Sequence, residues 1–67
     1  MISVIVNGEA RSVPGGSSIC DMLESIGLDP RKVAVEHNLE VVPRSALGDV
    51  RVSEGDRFEI VHFVGGG

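Results

Sequence analysis

The first 26 residues, MISVIVNGEARSVPGGSSICDMLESI, decide the fold. In Met1 to Asn7, Ile2, Val4 and Val6 alternate with Ser3 and Asn7, the period of a half-buried strand. Ile5 places one apolar group on the opposite face. Asn7-Gly8 follows at once, and both residues accept positive φ. A tight hairpin is therefore predicted, with Glu9 to Val13 returning as a shorter second strand. Pro14-Gly15-Gly16 ends it. Ser18 then stands at a helix N-cap with Asp21 three residues on, a capping box with Asp in place of Glu. Ile19, Met22, Leu23 and Ile26 fall at i, i+3, i+4 and i+7, so they form one apolar stripe. Gly27 stops the helix and Pro30 bars its continuation. A helix of about two to three turns is not stable alone and must pack its stripe on a sheet.

The rest of the chain supplies that sheet. Lys32 to His37 reads as a third strand with Val33 and Val35 on one face. Asn38 to Glu40 is a turn, and Val41-Val42 a short strand or edge segment. Pro43 to Gly48 is a loop with one 3₁₀ turn. Val50 and Val52 are apolar enough to pack, and Ser53 to Asp56 is a turn. The final strand runs from Arg57 to Val64, with Phe58, Ile60, His62 and Val64 on one face and Arg57, Glu59, Val61 and Phe63 on the other. One helix covers one face of such a sheet and leaves the other to water. The predicted class is α+β: a β-grasp (ubiquitin-like) fold, a mixed sheet of four to five strands packed on one helix. By analogy with that fold, the first and last strands are parallel neighbours at the centre. The expected organisation is one domain over residues 1–64 and a flexible glycine tail at 65–67.

Composition narrows the function. At 67 residues and 7.1 kDa the chain has a small core and no room for a deep active site of its own. Ten acidic against six basic residues give a net charge of −4, which speaks against nucleic acid as a partner. A single cysteine excludes a disulfide framework and a multi-cysteine metal site. No apolar run reaches the length of a membrane span, and the N-terminus has no signal-peptide pattern. The expected setting is cytoplasmic and reduced.

Three glycines follow the last strand directly. Without a Cβ, such a tail threads channels closed to other residues, and three extended residues reach roughly 10 Å. That length brings the Gly67 carboxylate into a partner's active site, with Gly65 and Gly66 giving access. Ordering the tail costs roughly 1–2 kcal/mol per residue, so the globular surface must supply docking energy. Ile5, Val61 and Phe63, on the water face of the first and last strands, are the expected partner-binding patch.

Other candidates carry less. Pro14-Gly15-Gly16 before a helix lacks the Gly-Lys-Ser/Thr ending of a phosphate loop and reads as a turn. Cys20 lies in the first helical turn, where a thiol pKa can be lowered, but reads as a small buried helix residue. His37 and His62 have no partners at metal-ligand spacing and read as edge or surface residues. No catalytic residue and no metal ligand is assigned. Lys32 is the only lysine.

Several segments together resemble the sulfur carrier proteins of thiamin biosynthesis, the ThiS family. They are Val6-Asn7-Gly8-Glu9, Val33-Ala34-Val35 with Asn38, Val42-Pro43-Arg44-Ser45, Gly55-Asp56-Arg57, Glu59-Ile60-Val61 and Val64-Gly65-Gly66-Gly67. The resemblance covers nearly the whole chain; Leu39 departs from it, because the family often has Gly after the Asn. It implies a protein co-substrate and not an enzyme. The Gly67 carboxylate would be adenylated by a ThiF-type adenylyltransferase using ATP and Mg, neither bound by this chain. A cysteine desulfurase or other sulfur donor would convert it to a thiocarboxylate, and a ThiG-type thiazole synthase would take the sulfur. A free monomer is expected, with no nucleic acid or membrane partner. Two alternatives share the fold: the small subunit of molybdopterin synthase, which usually runs longer, and a ubiquitin-like protein modifier or interaction domain.

Overall fold

The computed structural model describes residues 1–63; Val64 and the expected tail residues Gly65, Gly66 and Gly67 lie outside the described residues. The Asn7-Gly8 signal produces the hairpin it predicts. Strands β1 (Ile2–Val6) and β2 (Glu9–Val13) pair antiparallel, with Val6 opposite Glu9. Asn7 and Gly8 take φ values of 49° and 83°, so both turn residues are left-handed, as a type I′ turn requires.

Helix α1 spans Ile19–Ser25. The capping box is formed on both sides: Asp21 N–H donates to Ser18 Oγ at 3.0 Å, and Ser18 N–H donates to the Asp21 carboxylate at 3.4 Å. Ile19, Met22 and Leu23 are buried, while Ile26 is half-buried at the C-cap. A 3₁₀ turn at Pro30–Lys32, absent from the sequence reading, then starts β3 (Val33–His37) one residue later than expected. Its N-cap is Asp29, whose carboxylate takes the Arg31 N–H at 2.9 Å and pairs with the Arg31 guanidinium. Those hydrogen bonds lower the pKa of the half-buried Asp29 carboxyl to about 2.

Strand β4 (Glu40–Val42), the 3₁₀ turn Arg44–Ala46 and β5 (Arg57–His62) complete the sheet in the order β2-β1-β5-β3-β4. The first and last strands are parallel neighbours at its centre, with Ile5 opposite Arg57 and Val6 opposite Phe58. The inner face buries Val4, Val6, Val13, Val33, Val35, Phe58 and Ile60 against Ile19, Met22 and Leu23. Val52 joins this core, and so does Leu47, which the sequence reading left in a loop.

Among the described residues, the β3–β4 turn is the place where the backbone and its residue disagree. Asn38 and Leu39 have φ values of 50° and 73°, again a type I′ turn, between the paired residues His37 and Glu40. Glycine adopts the second position freely; leucine does so against its own Cβ. Leu39 is 90% exposed and gains little from packing. We expect Leu39→Gly to raise stability by about 0.5–1 kcal/mol, read as a higher urea midpoint with an unchanged slope. A lower midpoint would contradict this.

Candidate functional site

The end of the sheet where β5 delivers the chain to Phe63 is the candidate site. Phe63 N–H donates to the Lys32 carbonyl at 3.0 Å, which holds it against the start of β3. The Arg44 guanidinium lies 5.4 Å from the centre of the Phe63 ring, within cation–π reach. Val61, 64% exposed, sits opposite Ala34 on the outer face, and Phe63 is 45% exposed.

Ile5 does not join them. It is half-buried and lies opposite Arg57, whereas Val61 is about 13 Å farther along β5. Between them the outer face carries Glu36 directly opposite Glu59. The patch expected from Ile5, Val61 and Phe63 is therefore two separate surfaces with an acidic pair between. Alternation along a strand assigns a face, but only the register shows how far apart two residues on that face lie.

The two asparagines of the turns do more than turn the chain. Asn7 Oδ1 accepts from Ile60 N–H at 2.7 Å, and Asn7 Nδ2 donates to the Ile60 carbonyl at 3.1 Å. Asn38 Oδ1 accepts from Arg57 N–H at 2.9 Å. Each carboxamide thus satisfies backbone of β5, Asn38 at its first residue and Asn7 at its fourth.

His37 is neither the edge nor the surface residue expected: it is half-buried at the end of an inner strand. Its ring stacks on Phe58, with centroids 4.9 Å apart, and Nε2 lies 2.8 Å from the Asp56 carboxylate. Asp56 also accepts from Ser53 N–H at 2.9 Å and Asn38 Nδ2 at 3.3 Å. Burial raises the Asp56 pKa, but these donors outweigh it and hold the carboxyl below its ordinary value. The cluster braces the turn that enters β5. His62 is exposed, as expected. Cys20 is half-buried, and its thiol is pushed up, first by burial and then by Glu24, Asp21 and Asp29. Burial and the carboxylates around α1 both disfavour the thiolate and oppose the lowering that a helix N-terminus would give.

A family model described as the ThiS family matches residues 4–67. The chain belongs to that family. A curated ThiS-family relative, the sulfur carrier protein ThiS of Bacillus subtilis, is 42% identical over 50 residues, covering 75% of this chain and 76% of that protein. A thiazole synthase of Paramagnetospirillum magneticum is 46% identical over 66 residues, and one of Magnetococcus marinus is 41% identical over 66. The match takes in 98% of this chain but only 20% of each thiazole synthase, so the chain spans a fifth of their length. The crystal structure of the thiamine biosynthesis protein ThiS from Geobacter metallireducens superposes with a TM-score of 0.81 at 30% identity, covering 98% of this chain and all of that one. Its solution structure gives 0.76 at 32% identity, covering 98% of this chain and 88% of that one. These likenesses establish the β-grasp architecture of this ThiS-family chain.

Proposed function

We propose that this chain is a sulfur carrier of thiamin biosynthesis whose Gly67 carboxylate is the group that carries sulfur. The observation that carries the reading is the family match over residues 4–67, with a curated sulfur carrier 42% identical. A carboxylate oxygen attacks the α-phosphorus of ATP in the adenylyltransferase, releasing pyrophosphate and leaving an acyl adenylate. The terminal sulfur of a donor persulfide then displaces AMP. A thiol cleaves the resulting acyl disulfide, is itself oxidised to a disulfide, and leaves the thiocarboxylate, a strong nucleophile. Gly65 and Gly66 are proposed to pass the enzyme's channel without side chains, while Val61, Phe63 and Arg44 dock the domain outside it.

Thiazole synthase is the proposed acceptor. In two relatives with that name a segment like this chain is part of the same polypeptide. Covalent joining raises the effective concentration of carrier at acceptor, a benefit only where the two act together.

The test is the intact mass of the chain after incubation with ATP, Mg, a ThiF-type adenylyltransferase and a persulfide donor. The expected product has one oxygen replaced by sulfur, and fragmentation assigns it to Gly67. An unchanged mass, with enzymes proven active on another carrier, would overturn the reading. A peptide bond after Gly67 in the native polypeptide would have to be hydrolysed before activation, and the same measurement on native material detects that form.

A further inference from the structure

Strands β1 and β5 share backbone pairing only at Ile5 with Arg57 and Val6 with Phe58. Asn7 N–H makes one more bond, to the Phe58 carbonyl at 2.9 Å, and the main chain then leaves the sheet through the Asn7-Gly8 turn. The next residue of β5 to face β1 is Ile60, and no β1 backbone reaches it. The Asn7 carboxamide takes its place, accepting the Ile60 N–H at 2.7 Å and donating to the Ile60 carbonyl at 3.1 Å. It adds one rung to the parallel ladder from a side chain. Past Ile60, among the described residues, β5 is paired by β3 alone: Ala34 with Val61, Val33 with His62, and Lys32 O with Phe63 N–H.

We propose that Asn7 is a positioning residue for sulfur loading. By fixing Ile60 on the β1 side, it sets the line along which β5 delivers the chain at Phe63 to a partner enzyme. The proposal rests on the sulfur-carrier reading above. A strand held from one side swings about its single partner, so a small angular error at Ile60 shifts Phe63, the point from which a tail threaded into the enzyme's channel must start. Attack of the carboxylate on the α-phosphorus of ATP requires near-contact geometry, so such an error lowers turnover more than docking.

The molecule supplies its own control. Asn38 has the same left-handed backbone, φ 50° against 49° for Asn7, and its Oδ1 accepts the Arg57 N–H at the opposite end of β5. Asn38 Nδ2 also bonds Asp56, so its loss costs at least as many hydrogen bonds. Glycine accepts positive φ, so Asn7→Gly and Asn38→Gly each remove a carboxamide without straining the turn.

Sulfur loading of the unsubstituted chain and of both variants is followed by intact mass, with kcat and KM for the adenylyltransferase determined separately. Amide exchange at Ile60 and Arg57 shows which end of β5 has loosened. For Asn7→Gly we expect faster exchange at Ile60, a kcat lower by about tenfold or more, and KM within about twofold. For Asn38→Gly, exchange rises at Arg57 and kcat stays within about twofold. With the unsubstituted chain loaded, equal kcat values for the two variants, or an undiminished kcat for Asn7→Gly, would overturn the proposal alone. Failure of the unsubstituted chain to gain sulfur, with enzymes active on another carrier, would overturn the sulfur-carrier reading and this proposal with it.

Discussion

A chain shortened to end at Gly65 folds as the full chain does and gains no sulfur. The first half of that expectation follows from where the core lies. Among the described residues, the twelve buried apolar side chains run from Val4 to Ile60, and the β3 contacts of β5 reach Phe63. Removing Gly66 and Gly67 takes away no side chain. The second half follows from reach. The shortened chain still ends in a glycine carboxylate, so its intrinsic chemistry is unchanged. That carboxylate is drawn back by about 7 Å, twice the length of an extended residue. Nucleophilic attack on the α-phosphorus needs the reacting atoms at about 3–3.5 Å. To close that distance the domain, about 22 Å across at its narrowest, would have to enter the channel proposed to admit only glycines. A loss of loading on the order of a thousandfold or more is expected from lost orientation alone. Far-ultraviolet circular dichroism and the thermal midpoint test the fold, and intact mass tests the loading. Loading at the rate of the full chain would mean that Gly67 is not the working group.

What was legible in the sequence was what neighbouring residues encode. Asn7-Gly8 specifies its turn, and Ser18 with Asp21 specifies the start of α1, because each signal and its effect lie within four residues. Alternation over Arg57 to Val64 identified the buried face at Phe58 and Ile60, although β5 ends at His62, which is exposed, and Val64 lies outside the described residues. The parallel pairing of the first and last strands came from fold analogy, since no local pattern encodes a partner 52 residues away. The failures are the long-range facts. The Asn7 carboxamide meets Ile60 across 53 positions, and His37 meets Asp56 across 19. Nothing near either residue in the chain marks those meetings. Ile5 and Val61 fall on one face by alternation, yet the register sets them about 13 Å apart along it. Leu39 was legible only as a departure from a family pattern; the left-handed backbone shows that the departure carries strain.

Phe58→Ala is expected to remove the fold itself. Phe58 is 1% exposed, the largest of the fully buried side chains, and sits on the inner face of the central strand. Its neighbours across the ladder are Val6 on one side and His37 on the other, with the His37 ring stacked on it at 12°. Truncating a buried Phe to Ala costs about 3–5 kcal/mol, the lost transfer energy plus the cavity left behind. At roughly 0.05–0.15 kcal/mol per residue, a chain of 67 residues has about 3–10 kcal/mol in all. The cavity also lies under the His37 ring, so the histidine that braces Asp56 loses its support and the turn entering β5 loosens with the core. The variant is therefore expected to be largely unfolded, or to unfold at a urea midpoint lower by about 2 M or more. Phe58→Leu keeps an apolar group of similar reach and is expected to cost far less, about 1–2 kcal/mol. A Phe58→Ala midpoint close to that of the unsubstituted chain would mean that the central strand is not the keystone of this core. The two large effects also separate the chemistry from its support: ending the chain at Gly65 leaves a folded protein that cannot be loaded, whereas Phe58→Ala leaves the same terminal carboxylate on a chain with no sheet to aim it.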